Sequence, residues 1–191
     1  MQIRDRFRSF TGFKQSIPWY GWRERTALRQ EDGALGSMVT VLTHSPEETE
    51  AFGARLAAQL SVGDIIALNG PLGAGKTCLV RGLARGLGHD PLRVRSPTFV
   101  LHHVYRDGRL PLHHLDLYRL GEGAETEEFD LDLLAGDGIV AVEWASLALE
   151  EDFLPVTIVL DMCPLEGDSR EIRIQEDAPE RVRQVMGEWT A

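Results

Sequence analysis

The sequence predicts an α/β fold of three layers, a sheet of mixed parallel and antiparallel strands between helices. Three observations predict it. Ile65–Leu68 and Ile139–Val142 are short, wholly apolar runs, as in strands covered on both faces. Segments with helical spacing alternate with strand-like ones. An Asp107-Gly108 turn signal between two strand-like stretches adds an antiparallel hairpin.

The elements follow in order. Met38 to Leu42 alternates as a short strand. Ser45 is placed to cap the next helix, with Pro46 in its first turn and Glu47 and Glu48 at its positive end. Ala51, Phe52, Leu56, Ala57 and Leu60 recur at helical spacing and form its buried face. Gly63-Asp64 turns the chain into the first apolar strand. A glycine loop follows at 70–75, then a helix from Lys76 to about Leu87, ended by Gly88. Thr98 to Tyr105 reads as a strand that returns as Leu110 to Leu117. Residues 121–136 are acidic and helical in part, and the second apolar strand stops at Glu143. Val156 to Leu160 and Glu171 to Ile174 are two more strands, and Pro179 to Trp189 is a closing helix.

A chain of 191 residues suits one domain with a sizeable core. Clean patterning begins at Met38, so residues 38–191 form the domain. Residues 1–37 show no sustained period and no apolar core of the kind a secretory signal needs. They are expected to be a disordered extension, or the result of a start assigned too far upstream; a docking arm for a partner is the alternative. Net charge is −10. The first 37 residues hold seven bases and four acids, a balance of about +3, which leaves about −13 on the remainder. Such an acidic body argues against direct clamping of nucleic acid. No stretch approaches the roughly 18 uninterrupted apolar residues of a membrane span. Cys78 and Cys163 are the only cysteines and are expected to be free thiols in a reducing cytoplasm.

Gly70-Pro71-Leu72-Gly73-Ala74-Gly75-Lys76-Thr77 fits the phosphate-loop pattern G-x-x-x-x-G-K-[ST]. Its glycines let the backbone curl so that N–H groups face a phosphate, and the following helix adds its positive end. Lys76 is placed to bridge the β- and γ-phosphates, and the Thr77 hydroxyl to ligate Mg²⁺. The buried strand before the loop and the helix after it are the right context, so the sheet is that of a P-loop NTPase.

A phosphate loop needs an acid across the site, at the end of a neighbouring strand. Asp116 and Glu143 both qualify, and both are expected to be exposed in the site. Glu125 through Asp132 is a charge run, read as a solvated face. His102/His103 and His113/His114 suggest a metal cluster at first sight, but neighbours on a strand point to opposite faces, so only alternate ones converge. The expectation is that they bind no metal.

Four motifs together resemble the TsaE family, the ATPase component of the bacterial machinery that makes threonylcarbamoyladenosine in tRNA. They are Leu72–Thr77, Ser96-Pro97-Thr98-Phe99, His114-Leu115-Asp116-Leu117-Tyr118-Arg119 and Glu143-Trp144, and the similarity runs from about Val39 to Ile174. The resemblance implies that Leu72, Gly73, Ala74, Gly75, Lys76 and Thr77 hold ATP and that Thr77 and Glu143 ligate Mg²⁺. It implies that Thr98 sits in a switch-like loop by the γ-phosphate and that Asp116 orients or activates the attacking water. Pro46 and Thr49 would lie by the adenine, and Arg170 on the nucleotide side. His114, Tyr118 and Trp144 belong to the motifs without an assigned step. Cys78 stands where the family usually has a second threonine, and Ala145 where proline is common.

The function so implied is Mg-dependent ATP hydrolysis in the cytoplasm. It would drive turnover of a complex of the transferase and its paralogous platform subunit, the TsaD and TsaB type. The product is the modified base in tRNAs reading codons that begin with adenine, with tRNA met only indirectly. Two alternatives stand beside it, a small-molecule phosphotransferase and a non-hydrolysing nucleotide switch. The acidic 121–136 segment is a poor lid for a phosphorylated substrate. No guanine-reading N-K-x-D is visible, and no arginine finger.

Overall fold

The structure, a computed structural model, describes residues 39–119, 130–145, 157–174 and 178–189. The expectation for residues 1–37, the start of the domain at Met38 and most of the 121–136 segment lie outside them. Seven strands form one sheet: β1 (Val39–Thr43), β2 (Ile65–Asn69), β3 (His102–Tyr105), β4 (Leu112–Asp116), β5 (Ile139–Glu143), β6 (Ile158–Pro164) and β7 (Arg170–Ile174). The helices are α1 (Pro46–Ala57), α2 (Lys76–Leu87), α3 (Leu131–Asp137) and α4 (Glu180–Gly187).

The sheet order is β1-β7-β6-β2-β5-β4-β3. Its centre, β6-β2-β5-β4, is parallel, and β3 on one edge and β7 and β1 on the other are antiparallel additions. The mixed sheet expected from the sequence is therefore present. β2 and β5 are buried along their whole length, as their unbroken apolar runs require. Alternate residues feed two cores. Ile66, Leu68, Ile139 and Ala141 join the cluster that contains α1, α2 and α4 residues such as Phe52, Leu83 and Val182. Ile65, Ala67, Val140 and Val142 join the cluster that contains Leu131 and Ala135 of α3. This period-two division is the three-layer architecture.

Helix ends follow their local chemistry. Ser45 accepts the Glu48 N–H at 3.1 Å and Pro46 opens α1. Gly88, in the left-handed region at φ 89, closes α2. Asp130 caps α3 by accepting the Leu133 N–H at 3.0 Å.

Three expectations need correction. Thr98 to Tyr105 is not one strand: Thr98–Val100 is a turn, Leu101 has φ 65, and only His102–Tyr105 pairs with β4. The strand expected to end at Leu160 continues through Pro164, where it pairs with Arg170. The closing helix runs over Glu180–Gly187, and Trp189 lies beyond it, its indole N–H donating to the Leu42 carbonyl at 3.1 Å.

Candidate functional site

The phosphate loop leaves the carboxyl end of β2 and enters α2. Gly70 has φ 138, and a β-carbon there would lie 2.3 Å from the Met162 carbonyl oxygen on β6, so only glycine lets the loop pass that strand. Gly75 has φ 96 and is the N-cap of α2. Its missing side chain makes room for Arg170, whose Nε would sit 2.6 Å from a β-carbon. The first-turn amides of α2, at Lys76, Thr77 and Cys78, have no intrahelical acceptor, and no side chain caps them. Amides so placed suit an anion. Leu72 and Gly73 are exposed at the loop tip, while Ala74 is buried beneath it.

Across from the loop, register brings the two acids together. Asp116 and Glu143 are direct partners on the parallel strands β4 and β5, each at the carboxyl end. Period-two alternation puts His114, Asp116 and Glu143 on the sheet face that carries α2. The Thr77 hydroxyl donates to Glu143 Oε1 at 2.7 Å, and His114 Nε2 lies 2.8 Å from the same oxygen. With the carboxylate ionised, Nε2 carries the imidazole proton. His114 Nδ1 is then an acceptor, buried and without a hydrogen-bond partner among the described residues.

Asp116 is held by the 96–98 loop. Its Oδ2 accepts from Ser96 Oγ at 2.5 Å and Thr98 Oγ1 at 2.6 Å, and its Oδ1 from the Tyr118 N–H at 3.0 Å. The Thr98 bond holds that residue out of the strand that the sequence suggested from Thr98 to Tyr105. The structure also corrects the expected exposure of the acids: Asp116 is 1% and Glu143 3% exposed. A buried carboxylate needs donors on its oxygens, and Ser96, Thr98, Thr77 and His114 supply them.

Lys76 is also buried. Its Nζ donates to the Gly70 carbonyl at 2.7 Å and the Pro71 carbonyl at 2.9 Å, and lies 3.8 Å from the Trp144 ring centroid. Burial pushes its pKa down to about 8, against the upward pull of Glu143 and Asp116. Pro46 is tied to α2, because Cys78 Sγ donates to its carbonyl at 3.2 Å. Burial raises the Cys78 thiol pKa, so this group stays protonated. Thr49 is fully buried, its hydroxyl engaged by Thr43 Oγ1 and the Ser45 carbonyl. That leaves Pro46 as the half-buried member of the pair. Arg170 lies against the loop at Gly75, and its buried Nε has no partner among the described residues.

The structure thus gathers Lys76, Thr77, Thr98, Asp116 and Glu143 at one end of the sheet. It adds Ser96 and His114 as direct partners of the two acids, which the sequence reading left without roles. The other histidines go elsewhere: His102 Nε2 lies 3.1 Å from His113 Nδ1, and His113 Nε2 lies 3.1 Å from Asp137. No group of three His, Cys, Asp or Glu among the described residues is arranged to hold a metal. A hydroxyl on a carboxylate is a different kind of donor set. Its hard oxygens fit Mg²⁺, which takes one or two protein oxygens and fills its shell with phosphate and water.

Comparison with known proteins agrees with these motifs. Residues 43–181 match the family described as threonylcarbamoyl adenosine biosynthesis protein TsaE. The Bacillus subtilis (strain 168) tRNA threonylcarbamoyladenosine biosynthesis protein TsaE is 42% identical over 131 residues, 68% of this chain and 80% of that protein. The protein of the same name from Aquifex aeolicus is 38% identical over 135 residues, 70% of this chain and 93% of its own. The crystal structure of Bacillus subtilis YdiB superposes with a TM-score of 0.63 at 33% identity, covering 82% of this chain and 96% of that one.

Proposed function

Because the chain belongs to the TsaE family, whose members act in tRNA threonylcarbamoyladenosine biosynthesis, we propose that it is a Mg-dependent ATPase that drives turnover of the complex carrying out that modification. The observation that carries the reading is the Thr77 hydroxyl on Glu143 at 2.7 Å, set at the mouth of an intact G-x-x-x-x-G-K-T loop.

Loop amides and the first turn of α2 bind the β-phosphate, and Lys76 neutralises the β- and γ-oxygens as charge builds on them. Thr77 and Glu143 would hold Mg²⁺, which supplies charge neutralisation to the phosphates when bound. His114 keeps Glu143 in place through Oε1. Asp116 orients a water in line with the γ-phosphorus, as the bond from that water forms and the bond to the bridging oxygen breaks. Asp116 is 1% exposed beneath Ser96 and Thr98, so the Ser96–Thr98 loop moves when ATP binds to let that water reach it. Such a loop gives a partner two states to read. The partners fitting this reading are the transferase and its platform subunit, the TsaD and TsaB type. The net charge of −10 makes contact with tRNA indirect.

Phosphate release from ATP, measured with and without those partner subunits, tests the reading. Slow release that the partners accelerate, and that Lys76→Ala abolishes, is expected. Binding without release under any condition would leave a nucleotide switch. Release that needs only a small hydroxyl acceptor would make it a phosphotransferase.

A further inference from the structure

Lys76 is the only cation of the phosphate loop, yet it is folded back on that loop. Its Nζ donates to the Gly70 and Pro71 carbonyls, and its third neighbour is the Trp144 indole, 3.8 Å from Nζ to ring centroid. Lys76 is only 4% exposed, and a ring face attracts a cation most where water is excluded.

The indole is held there by specific contacts. Trp144 has φ 61, and with Leu101 it is one of two non-glycine residues in the left-handed region among the described residues. A bulky side chain adopts that conformation only where its surroundings impose it, and such positions cluster at functional sites. Its backbone N–H donates to the Leu68 carbonyl at 3.0 Å, which fixes the residue to the strand that delivers the loop. The Tyr118 ring lies against it, centroids 4.9 Å apart. Trp144 directly follows Glu143, so the indole and the acid that pairs with Thr77 move as one piece of chain.

We propose that Trp144 is a positioning residue that holds the Lys76 ammonium in a resting berth, and that the phosphates of an incoming nucleotide must draw the ammonium off the indole. The inference rests on the nucleotide-binding reading above. Its consequence has a definite sign. An interaction made only in the empty protein opposes binding, because a ligand is bound by the difference between its two states. Removing the indole weakens the berth and leaves the phosphate contacts in place, so affinity for nucleotide rises. A tryptophan that merely packs the site would act in the opposite sense, since its loss would loosen the loop and lower affinity.

The test compares the full chain with Trp144→Phe and Trp144→Leu. Calorimetry measures the Kd for the Mg complex of the β,γ-imido analogue of ATP, and thermal melting of each protein alone checks the fold. Trp144→Leu is expected to bind roughly three- to tenfold more tightly than wild type. Trp144→Phe, which keeps a weaker ring face, is expected to fall between them. Equal or weaker binding by folded variants overturns the proposal. Should the leucine variant fail to fold, the phenylalanine variant decides alone, by tighter binding or its absence. No binding by wild type removes the nucleotide reading together with this one, whereas wild-type binding that neither variant improves removes this one alone.

Discussion

Glu143 Oε1 accepts from both Thr77 and His114 in a place that is 3% exposed, so this one oxygen satisfies two buried donors. Glu143→Gln keeps an oxygen for them and is expected to fold with near-native stability while losing Mg-dependent phosphate release. Glu143→Ala strands the hydroxyl and the imidazole N–H, and each orphaned buried donor costs about 1–3 kcal/mol. It is therefore expected to melt clearly below Glu143→Gln, and a pair of melting curves checks this. Equal melting temperatures would show that Thr77 and His114 find other partners and that Glu143 is not the centre of the network. The position of Glu143 was legible in the sequence, because an acid that ends an apolar run must lie at a strand end. Its burial was not. Nothing near residue 143 announces a hydroxyl 66 positions away or an imidazole 29 away on the same oxygen. Asp116 has the same history, with its donors at Ser96 and Thr98.

Elements whose ends are set by local chemistry matched the structure closely. The glycine at 88 stops α2 as expected, and the serine at 45 starts α1. Ser45 Oγ is the side-chain acceptor for Glu48 N–H, and Glu48 Oε2 in turn accepts the His44 N–H at 2.7 Å. Ser45→Ala removes the first of these bonds and is expected to destabilise the protein by about 1 kcal/mol, with Ser45→Gly costing only a few tenths. Urea denaturation of the three proteins measures both steps. An alanine variant as stable as wild type would mean that the Glu48–His44 bond suffices to hold the first turn. The element that departed furthest from expectation is the 98–105 stretch. Its residues have strand propensity, but the hydroxyls of Ser96 and Thr98 are committed to Asp116. Leu101 then turns through positive φ before pairing with β4 begins at His102. A tertiary hydrogen bond overrode local preference there, at a loop that the proposed mechanism requires to move.

At the scale of the molecule, the site is assembled from the carboxyl ends of three adjacent parallel strands, β2, β5 and β4, at the centre of the sheet. β2 and β5 are buried on both faces, so the loop and Glu143 cannot come apart without exposing both cores. The proposed nucleotide binding is therefore expected to be linked to unfolding of the domain rather than to fraying of one edge, and the linkage has a calculable size. A ligand that binds only the folded state at a hundred times its Kd adds about 2.7 kcal/mol. For a chain of this length that raises the melting temperature by roughly 5–10 °C. Thermal melting with the Mg-bound β,γ-imido ATP analogue at that excess is expected to show such a shift, reduced when EDTA removes the metal and absent in Lys76→Ala. A wild-type curve that does not move with saturating nucleotide would remove the loop as a phosphate site, and with it the hydrolysis proposed for Asp116 and Glu143.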